Sequence, residues 1–211
     1  MSNPLRSMYE RHHREARGEN FSILERDRGE LFRSIIGAGK TVLDLGCRDG
    51  ALTKYFIEGN MVTGADVDEV SLARARKFGI ETVAMDLNGD WAELQGKTFD
   101  VVVAGETLEH LFYPDRVAEK VARHLTAGGM FLGSVPNAFS LKNRVRLFLG
   151  QKKYTPLHDP THINHFNAAE LEKLLKHNFP AVEIRGLGRY RRLINISPGL
   201  FAFDLVFIAK K

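Results

Sequence analysis

The residues with the clearest chemical potential form one run, Val42-Leu43-Asp44-Leu45-Gly46-Cys47-Arg48-Asp49-Gly50, in which two acids and two glycines close an apolar stretch. Glycines in such a place let the backbone approach a ligand closely and leave amide N–H groups free at the start of a helix. In dinucleotide enzymes that arrangement holds a pyrophosphate. Here the loop is shorter than G-x-G-x-x-G, and Asp44 and Asp49 would repel a pyrophosphate. They suit a ligand that carries an ammonium and a sulfonium. Twenty residues past Gly46, the segment Val62-Thr63-Gly64-Ala65-Asp66 ends on a second acid. A carboxylate there accepts hydrogen bonds from a ribose diol. A third acid follows in Met85-Asp86-Leu87-Asn88, where a side chain can meet an adenine edge and Met85 or Leu87 can pack on the ring. Taken singly, Asp66 reads equally as a helix N-cap and Asp86 as a turn residue. Three acidic strand ends in sequence order argue for a positively charged nucleoside, which favours S-adenosylmethionine over NAD.

Those residues need elements to position them. Short apolar runs predict strands at 41–45, 61–66, 80–84 and 99–104, the last with three consecutive valines and no polar break. Such runs suit strands covered on both faces. Helical spacing predicts helices over 5–17, 21–36, 50–58, 69–78, 114–125, 138–149 and 168–177, with Asn167 as the cap of the last. The Gly128-Gly129 pair is expected to stop the helix before a strand at 130–135, and strands near 181–187 and 201–209 finish the chain. The segment between them, 188–200, shows little helical pattern. Alternation of strand and helix over the first two-thirds predicts an α/β fold with a parallel sheet wound on both faces, and the final pair of strands is expected to be antiparallel.

The composition fits one domain: 211 residues, 44% hydrophobic and 27% charged. No stretch approaches the ~20 apolar residues that cross a bilayer. The first twenty residues are polar and charged, without an apolar run or cleavage site, so a cytoplasmic protein with no membrane partner is expected. Cys47 is the single cysteine, which excludes an internal disulfide and a multi-cysteine metal cluster. The net charge of +4 gathers in the N-terminal segment, in 142–153 and in 185–192. At so modest an excess these clusters read as solvated surface, and nucleic acid is not the expected partner. The GAGKT string at 37–41 is a decoy for a phosphate loop, because Ser34 replaces its first glycine and the string precedes a strand instead of following one.

As a set, VLDLGCRDG, VTGADVD, AMDLNGD, FDVVVAGETLEHL and HLTAGGMFLGSVPN resemble the successive motifs of class I S-adenosylmethionine-dependent methyltransferases, over roughly residues 40–137. The type-11/type-23 small-molecule group is the most similar. Pro136-Asn137, Asn143-Arg144 and Phe148-Leu149-Gly150 resemble the MetW-like branch. The resemblance implies a Rossmann-like, doubly wound, seven-stranded sheet, mostly parallel with an antiparallel last strand. It implies a single domain: a helical cap over 1–36, a cofactor-binding core over 40–137, an acceptor lid over 138–178 and C-terminal strands over 179–211. It also implies that Asp44, Gly46, Cys47 and Gly50 line the methionine part of S-adenosylmethionine. Asp66 would take the ribose, with Val67, Asp86 and Leu87 around the adenine and Glu106 facing cofactor or acceptor. Arg48 stands where the family usually has glycine, and an outward orientation into solvent is expected for it.

On the acceptor side, the stretch His158-Asp159-Pro160-Thr161-His162-Ile163-Asn164-His165-Phe166 offers bases that titrate near neutral pH. His162 and His165 are the candidates for deprotonating an acceptor hydroxyl, with His110 of the Glu109-His110 pair either assisting or holding its loop by a hydrogen bond. The same three loop histidines suit a metal. No carboxylate-rich cluster accompanies them, so the metal-free reading is preferred. By family analogy Met8, Tyr9, His12 and His13 belong to the cap. The apolar residues of 138–149 are expected to pack, with a homodimer interface as one use, while Lys142, Arg144 and Arg146 suit an anionic acceptor or partner. The expected activity is methyl transfer to a small molecule, O-methylation first. Its alternatives are a MetW-like accessory subunit that binds the cofactor and regulates a partner, and an RNA or protein methyltransferase. Gly105-Glu106-Thr107-Leu108 stands where base-nitrogen enzymes carry an Asn-Pro-Pro-Tyr-type motif, which disfavours that chemistry.

Overall fold

The computed structural model describes residues 24–211. The helix expected over 5–17, the first residues of the one expected over 21–36, and the cap residues Met8, Tyr9, His12 and His13 lie outside the described residues. Seven strands, β1 (Thr41–Leu45), β2 (Met61–Asp66), β3 (Glu81–Ala84), β4 (Phe99–Gly105), β5 (Leu125–Pro136), β6 (Ala181–Leu187) and β7 (Asp204–Lys210), form one sheet in the order β3-β2-β1-β4-β5-β7-β6. β1 runs parallel to β2 and β4, and β2 parallel to β3. β7 is antiparallel to both of its neighbours, β5 and β6. This is the α/β architecture expected from the alternation of apolar runs, with the last strand reversed. No helix among the described residues is long and apolar enough to cross a membrane.

Two compact units divide the chain, the first ending at Val103 and the second spanning Ala104–Lys211. In the first, Val42, Leu43 and Leu45 of β1 and Val101–Val103 of β4 are wholly buried, the burial on both faces that such runs require. The register sets Asp44 beside Gly64 and Leu45 beside Ala65, so β1 and β2 end almost level and their acids emerge at the same end of the sheet. Helix α1 (Glu25–Ile36) buries Phe32 and Ile36, and Gly29 lets it lie against the Tyr55 ring, where an added Cβ would come within 2.3 Å. α2 (Glu69–Ala75) is capped by Asp68, whose side chain accepts from the Val70 N–H at 3.0 Å. It is shorter than the predicted 69–78, since residues 76–78 tighten into a 3-10 turn closed by Gly79.

The predicted helix over 50–58 does not form. Only Thr53–Tyr55 make a 3-10 turn, because the Thr53 hydroxyl turns inward to Asp44 and Asn60 ends the segment by donating to the Gly37 and Phe56 carbonyls. One turn cannot sustain an α-helix.

In the second unit, α3 (Pro114–His124) begins on a proline, α4 (Leu141–Phe148) is capped by Ser140, and α5 (Ala168–Lys176) carries a full capping box between Asn167 and Glu170. Asn167 is thus the cap expected of it. β5 starts at Leu125, directly after α3, so the Gly128-Gly129 pair lies inside the strand and does not stop the helix. α4 is shorter than the predicted 138–149, because the cap falls at Ser140. Its apolar face is open, with Val145 51% and Phe148 90% exposed. The segment 188–200 holds two short helices, α6 (Arg191–Ile196) and α7 (Pro198–Phe201), where none was expected. Gly186 of β6 makes room for them: a Cβ there would meet Ala202 and Ile194 at 2.6 Å. Their stability comes from that packing, which periodicity does not report.

The tightest point of this unit is Gly133 in β5. An added Cβ would lie 2.3 Å from Phe207 Cζ and 2.4 Å from the Ala104 carbonyl oxygen. Phe207 cannot retreat easily, since its ring already sits edge-on to Phe131 with centroids 4.9 Å apart. Gly133→Ala should therefore destabilise the protein by roughly 1–3 kcal/mol or more through overpacking. Urea denaturation checks this, and an unchanged midpoint would contradict the packing described.

Candidate functional site

The chemistry-bearing residues fall into two clusters, one in each unit. In the first unit they sit at the ends of β1, β2 and β3. Gly46 has φ 73°, and its N–H and that of Cys47 both donate to the Ala65 carbonyl, at 2.8 and 3.3 Å. The Arg48 N–H donates to Asp66 Oδ2 at 3.0 Å, that of Gly50 to the Cys47 carbonyl at 2.9 Å, and that of Ala51 to Asp49 Oδ1 at 3.3 Å. Five amides of this stretch are thus taken up, three by β2 and two by the loop itself, where the sequence leads one to expect free donors at a helix start. Any attraction for a charged ligand at this end of the sheet comes from side-chain carboxylates.

Arg48 has φ 49°, the left-handed region in which an L-residue costs about 1 kcal/mol. That conformation explains why glycine is usual at this point of the loop. Arg48 is half-buried, so its side chain is not turned wholly to solvent as expected. The Cys47 side chain packs against β2, where a Cβ on Gly64 would meet its sulfur at 2.6 Å. Burial, then the charges of Asp44 and Asp66, push the thiol well above its ordinary pKa. Cys47 is thus a neutral core residue, and only its backbone is available to a ligand.

Asp44 and Asp66 are the electrostatic centre of this cluster. Asp44 is 2% exposed, and its Oδ2 accepts from the Thr53 hydroxyl at 2.6 Å. Burial pushes its pKa up to about 7, with Thr53 opposing and the Asp66 charge adding. Asp66 uses both oxygens on backbone, accepting from Asp68 N–H at 2.9 Å and Arg48 N–H at 3.0 Å. Burial raises its pKa too, opposed by those amides. It does not cap α2, a role that Asp68 fills. Each carboxylate oxygen retains acceptor capacity beyond one N–H. Two buried, mutually repelling acids make a position where a cation is worth more than in water. At β3, Asp86 closes a turn through Oδ1, which accepts from the Asn88 N–H at 2.9 Å. Met85 and Leu87 are buried and Val67 is half-buried.

In the second unit, Glu106 has φ 56°; its N–H donates to the Ser134 carbonyl at 2.9 Å and its Oε1 accepts from the Ser134 hydroxyl at 3.0 Å. The turn Leu108–His110 is bound to the histidine-rich loop: the Glu109 carbonyl accepts the N–H of Ile163 and of Asn164, each at 2.9 Å. His110 Nδ1 donates to the Thr161 carbonyl at 2.9 Å, and His162 Nδ1 to the Pro156 carbonyl at 3.1 Å. Carbonyls only accept, so Nδ1 is the donor in each ring, while His110 Nε2 lies 3.9 Å from Glu109 Oε1 and His162 Nε2 3.7 Å from Asp159 Oδ2. The two rings stand edge-to-face, 4.9 Å apart. Glu109, 1% exposed, brings a carboxylate beside them. His165 lies outside this group; burial, then the Lys152 charge, lowers its pKa. Two members escaped the sequence reading. Thr53 sits in a segment read as helix, and the part played by Glu109 arises from a contact across fifty residues that no spacing announces.

A sheet of this order, with acids at or near the ends of its first three strands, defines an α/β protein of the Rossmann-like class. The methyltransferase-domain family, type 23, matches residues 11–179, and the chain belongs to that family of class I S-adenosylmethionine-dependent methyltransferases. Over 143 residues, 66% of the chain, it is 34% identical to a probable S-adenosylmethionine-dependent methyltransferase of Mycolicibacterium smegmatis, covering 51% of that protein. Over 105 residues, 46% of the chain, it is 40% identical to the ubiquinone biosynthesis O-methyltransferase of Pseudomonas paraeruginosa, covering 45% of it. The chain thus spans about half the length of these curated relatives. The crystal structure of an S-adenosylmethionine-dependent methyltransferase from Archaeoglobus fulgidus shares the fold, with a TM-score of 0.67 at 21% identity over 96% of this chain and 99% of that one.

The raised pKa of Asp44 has a definite consequence for stability. Between its ordinary value near 3.8 and its folded value of about 7, the folded state holds a proton that the unfolded state has lost. This group therefore removes stability as pH rises across that window. Asp44→Asn, which keeps the contact with the Thr53 hydroxyl, should melt above the wild type at pH 8 and hold a clearly smaller advantage at pH 5. Thermal melts at the two pH values decide it, and an equal difference at both would contradict the burial-driven shift.

Proposed function

We propose that the chain binds S-adenosylmethionine at the acidic ends of β1, β2 and β3 and transfers its methyl group to a hydroxyl of a small-molecule acceptor. The observation that carries this reading is the pair of buried acids, Asp44 and Asp66, whose charges the fold itself disfavours and a cationic ligand would stabilise. Asp66 takes the ribose hydroxyls on the acceptor capacity its two backbone amides leave. Asp44, with Gly46, Gly50 and the backbone of Cys47, receives the methionine part. Val67, Asp86 and Leu87 surround the adenine, and Glu106 faces cofactor or acceptor.

The bound cofactor supplies a methyl carbon already activated by its sulfonium. The protein then has to align an acceptor oxygen with that carbon, exclude water and remove a proton. His165 is the base we favour, because burial keeps its imidazole neutral at pH values where an ordinary histidine is part-protonated. His110 and His162, locked through Nδ1 to backbone carbonyls, hold the acceptor hydroxyl. O-methylation draws support from the Pseudomonas relative, whose name states that chemistry. A cytoplasmic location is part of the same proposal.

Two measurements test this reading. Titration calorimetry with S-adenosylmethionine should show binding that Asp66→Asn weakens by about 10- to 100-fold, the worth of hydrogen bonds to a charged acceptor. An unchanged affinity would remove the ribose from Asp66. Product assays for S-adenosylhomocysteine over a panel of phenols and alcohols should show turnover that His165→Ala lowers by about 10²- to 10⁴-fold with cofactor affinity intact. Tight binding without turnover of any acceptor would favour the accessory, non-catalytic alternative.

A further inference from the structure

We propose that Glu109, His110 and His162 form a binding site for one divalent transition-metal ion of the zinc class. The three residues each offer a donor atom, and these atoms lie within 4.8 Å of one another. The separation of His110 Nε2 from Glu109 Oε1 is 3.9 Å. Donors around such an ion sit about 2.0–2.2 Å from it and therefore about 3.3 Å from each other. The set must draw in by up to about 1.5 Å, which side-chain rotation supplies.

Three further observations point to an ion and not to a chance meeting of polar groups. Both imidazoles are anchored by Nδ1–H to a backbone carbonyl, His110 to Thr161 and His162 to Pro156. That is the outer support metal-bound histidines ordinarily have, and it selects the tautomer whose Nε2 binds metal. The carboxylate of Glu109 is 1% exposed and lies beside both imidazoles, which puts an acidic oxygen donor inside the set. Finally, the ligands come from two segments already fastened together, since the Glu109 carbonyl accepts the N–H groups of Ile163 and Asn164 and the Asn164 side chain donates to the Leu111 carbonyl at 2.5 Å. The site is thus held by backbone before any ion arrives. Asp159 stiffens the loop by accepting both the N–H and the hydroxyl of Thr161.

Two histidines and one carboxylate leave at least one coordination position open, the arrangement of a site that takes a water or a substrate oxygen. A hydroxyl bound there loses its proton more easily than in water. That use rests on the proposed O-methylation, in which His110 and His162 then hold the acceptor hydroxyl through the ion; the ion's binding does not. The donor set also differs from the one the sequence suggested, which drew on the histidines of the loop alone. Glu109 and His110 come from outside that loop, and His165 takes no part.

The test titrates chelator-stripped full-length protein with Zn²⁺ by calorimetry, without cofactor or acceptor, so that its failure leaves the methyl-transfer reading standing. One Zn²⁺ per chain is expected. Glu109→Gln and His162→Ala should each weaken it at least about tenfold, while His165→Ala and His177→Ala, an exposed surface histidine, leave it unchanged. Because a substitution at buried Glu109 can disturb folding, Co²⁺ added to the unaltered protein provides a second readout: a visible d–d band that excess Zn²⁺ abolishes. Absence of stoichiometric Zn²⁺ binding, absence of the Co²⁺ band, or equal binding by His162→Ala and His177→Ala would each overturn the proposal.

Discussion

The first unit depends on one side chain reaching two loops. The Asp66 carboxylate accepts the amide of Arg48 from the turn after β1 and the amide of Asp68 from the turn before α2. Its own strand holds the same turn from the other side, since the Ala65 carbonyl takes the amides of Gly46 and Cys47. Backbone amides are therefore spent on shaping the turn, and the charge that shapes it is negative. Asp44 adds a second buried acid, steadied by a single hydroxyl from Thr53. A fold that buries two repelling carboxylates at one end of a sheet gives up stability there, and functional sites are where proteins commonly do so.

The second unit solves a different problem by the same means. A turn, Leu108–His110, and a loop, 158–166, meet through backbone hydrogen bonds that fix two imidazole rings in one tautomer. A ring tied at Nδ1 to a carbonyl has few ways left to turn, which limits the adjustment needed to position a hydroxyl or an ion.

The residues of the first cluster were legible because strand ends are local features. Asp44 is the next-to-last residue of β1, Asp66 ends β2 and Asp86 lies two residues past β3, so an acid near the close of a short apolar run sits close to a strand end. The sheet followed for the same reason. What escaped were features decided by contacts distant in sequence. The segment 50–58 has helical spacing, yet Thr53 is drawn to Asp44 and Asn60 closes the turn, so one 3-10 turn is all that forms. The helices α6 and α7 exist because Gly186 lets them pack against β6. The Gly128-Gly129 pair looked like a helix stop, but the chain had already turned extended at Leu125. Glu109 joined His110 and His162 only when the histidine loop folded onto its backbone. In each case periodicity recorded a local preference, and tertiary contact overrode it.

The proposed role of the acids at adjacent strand ends is to receive a cationic nucleoside. A crystal structure of the protein grown with S-adenosylmethionine decides it. Both ribose hydroxyls are expected within hydrogen-bonding distance of the Asp66 carboxylate, with the ammonium group on the Asp44 side of the same turn. A nucleoside bound elsewhere, or bound here with its ribose turned away from Asp66, would contradict it.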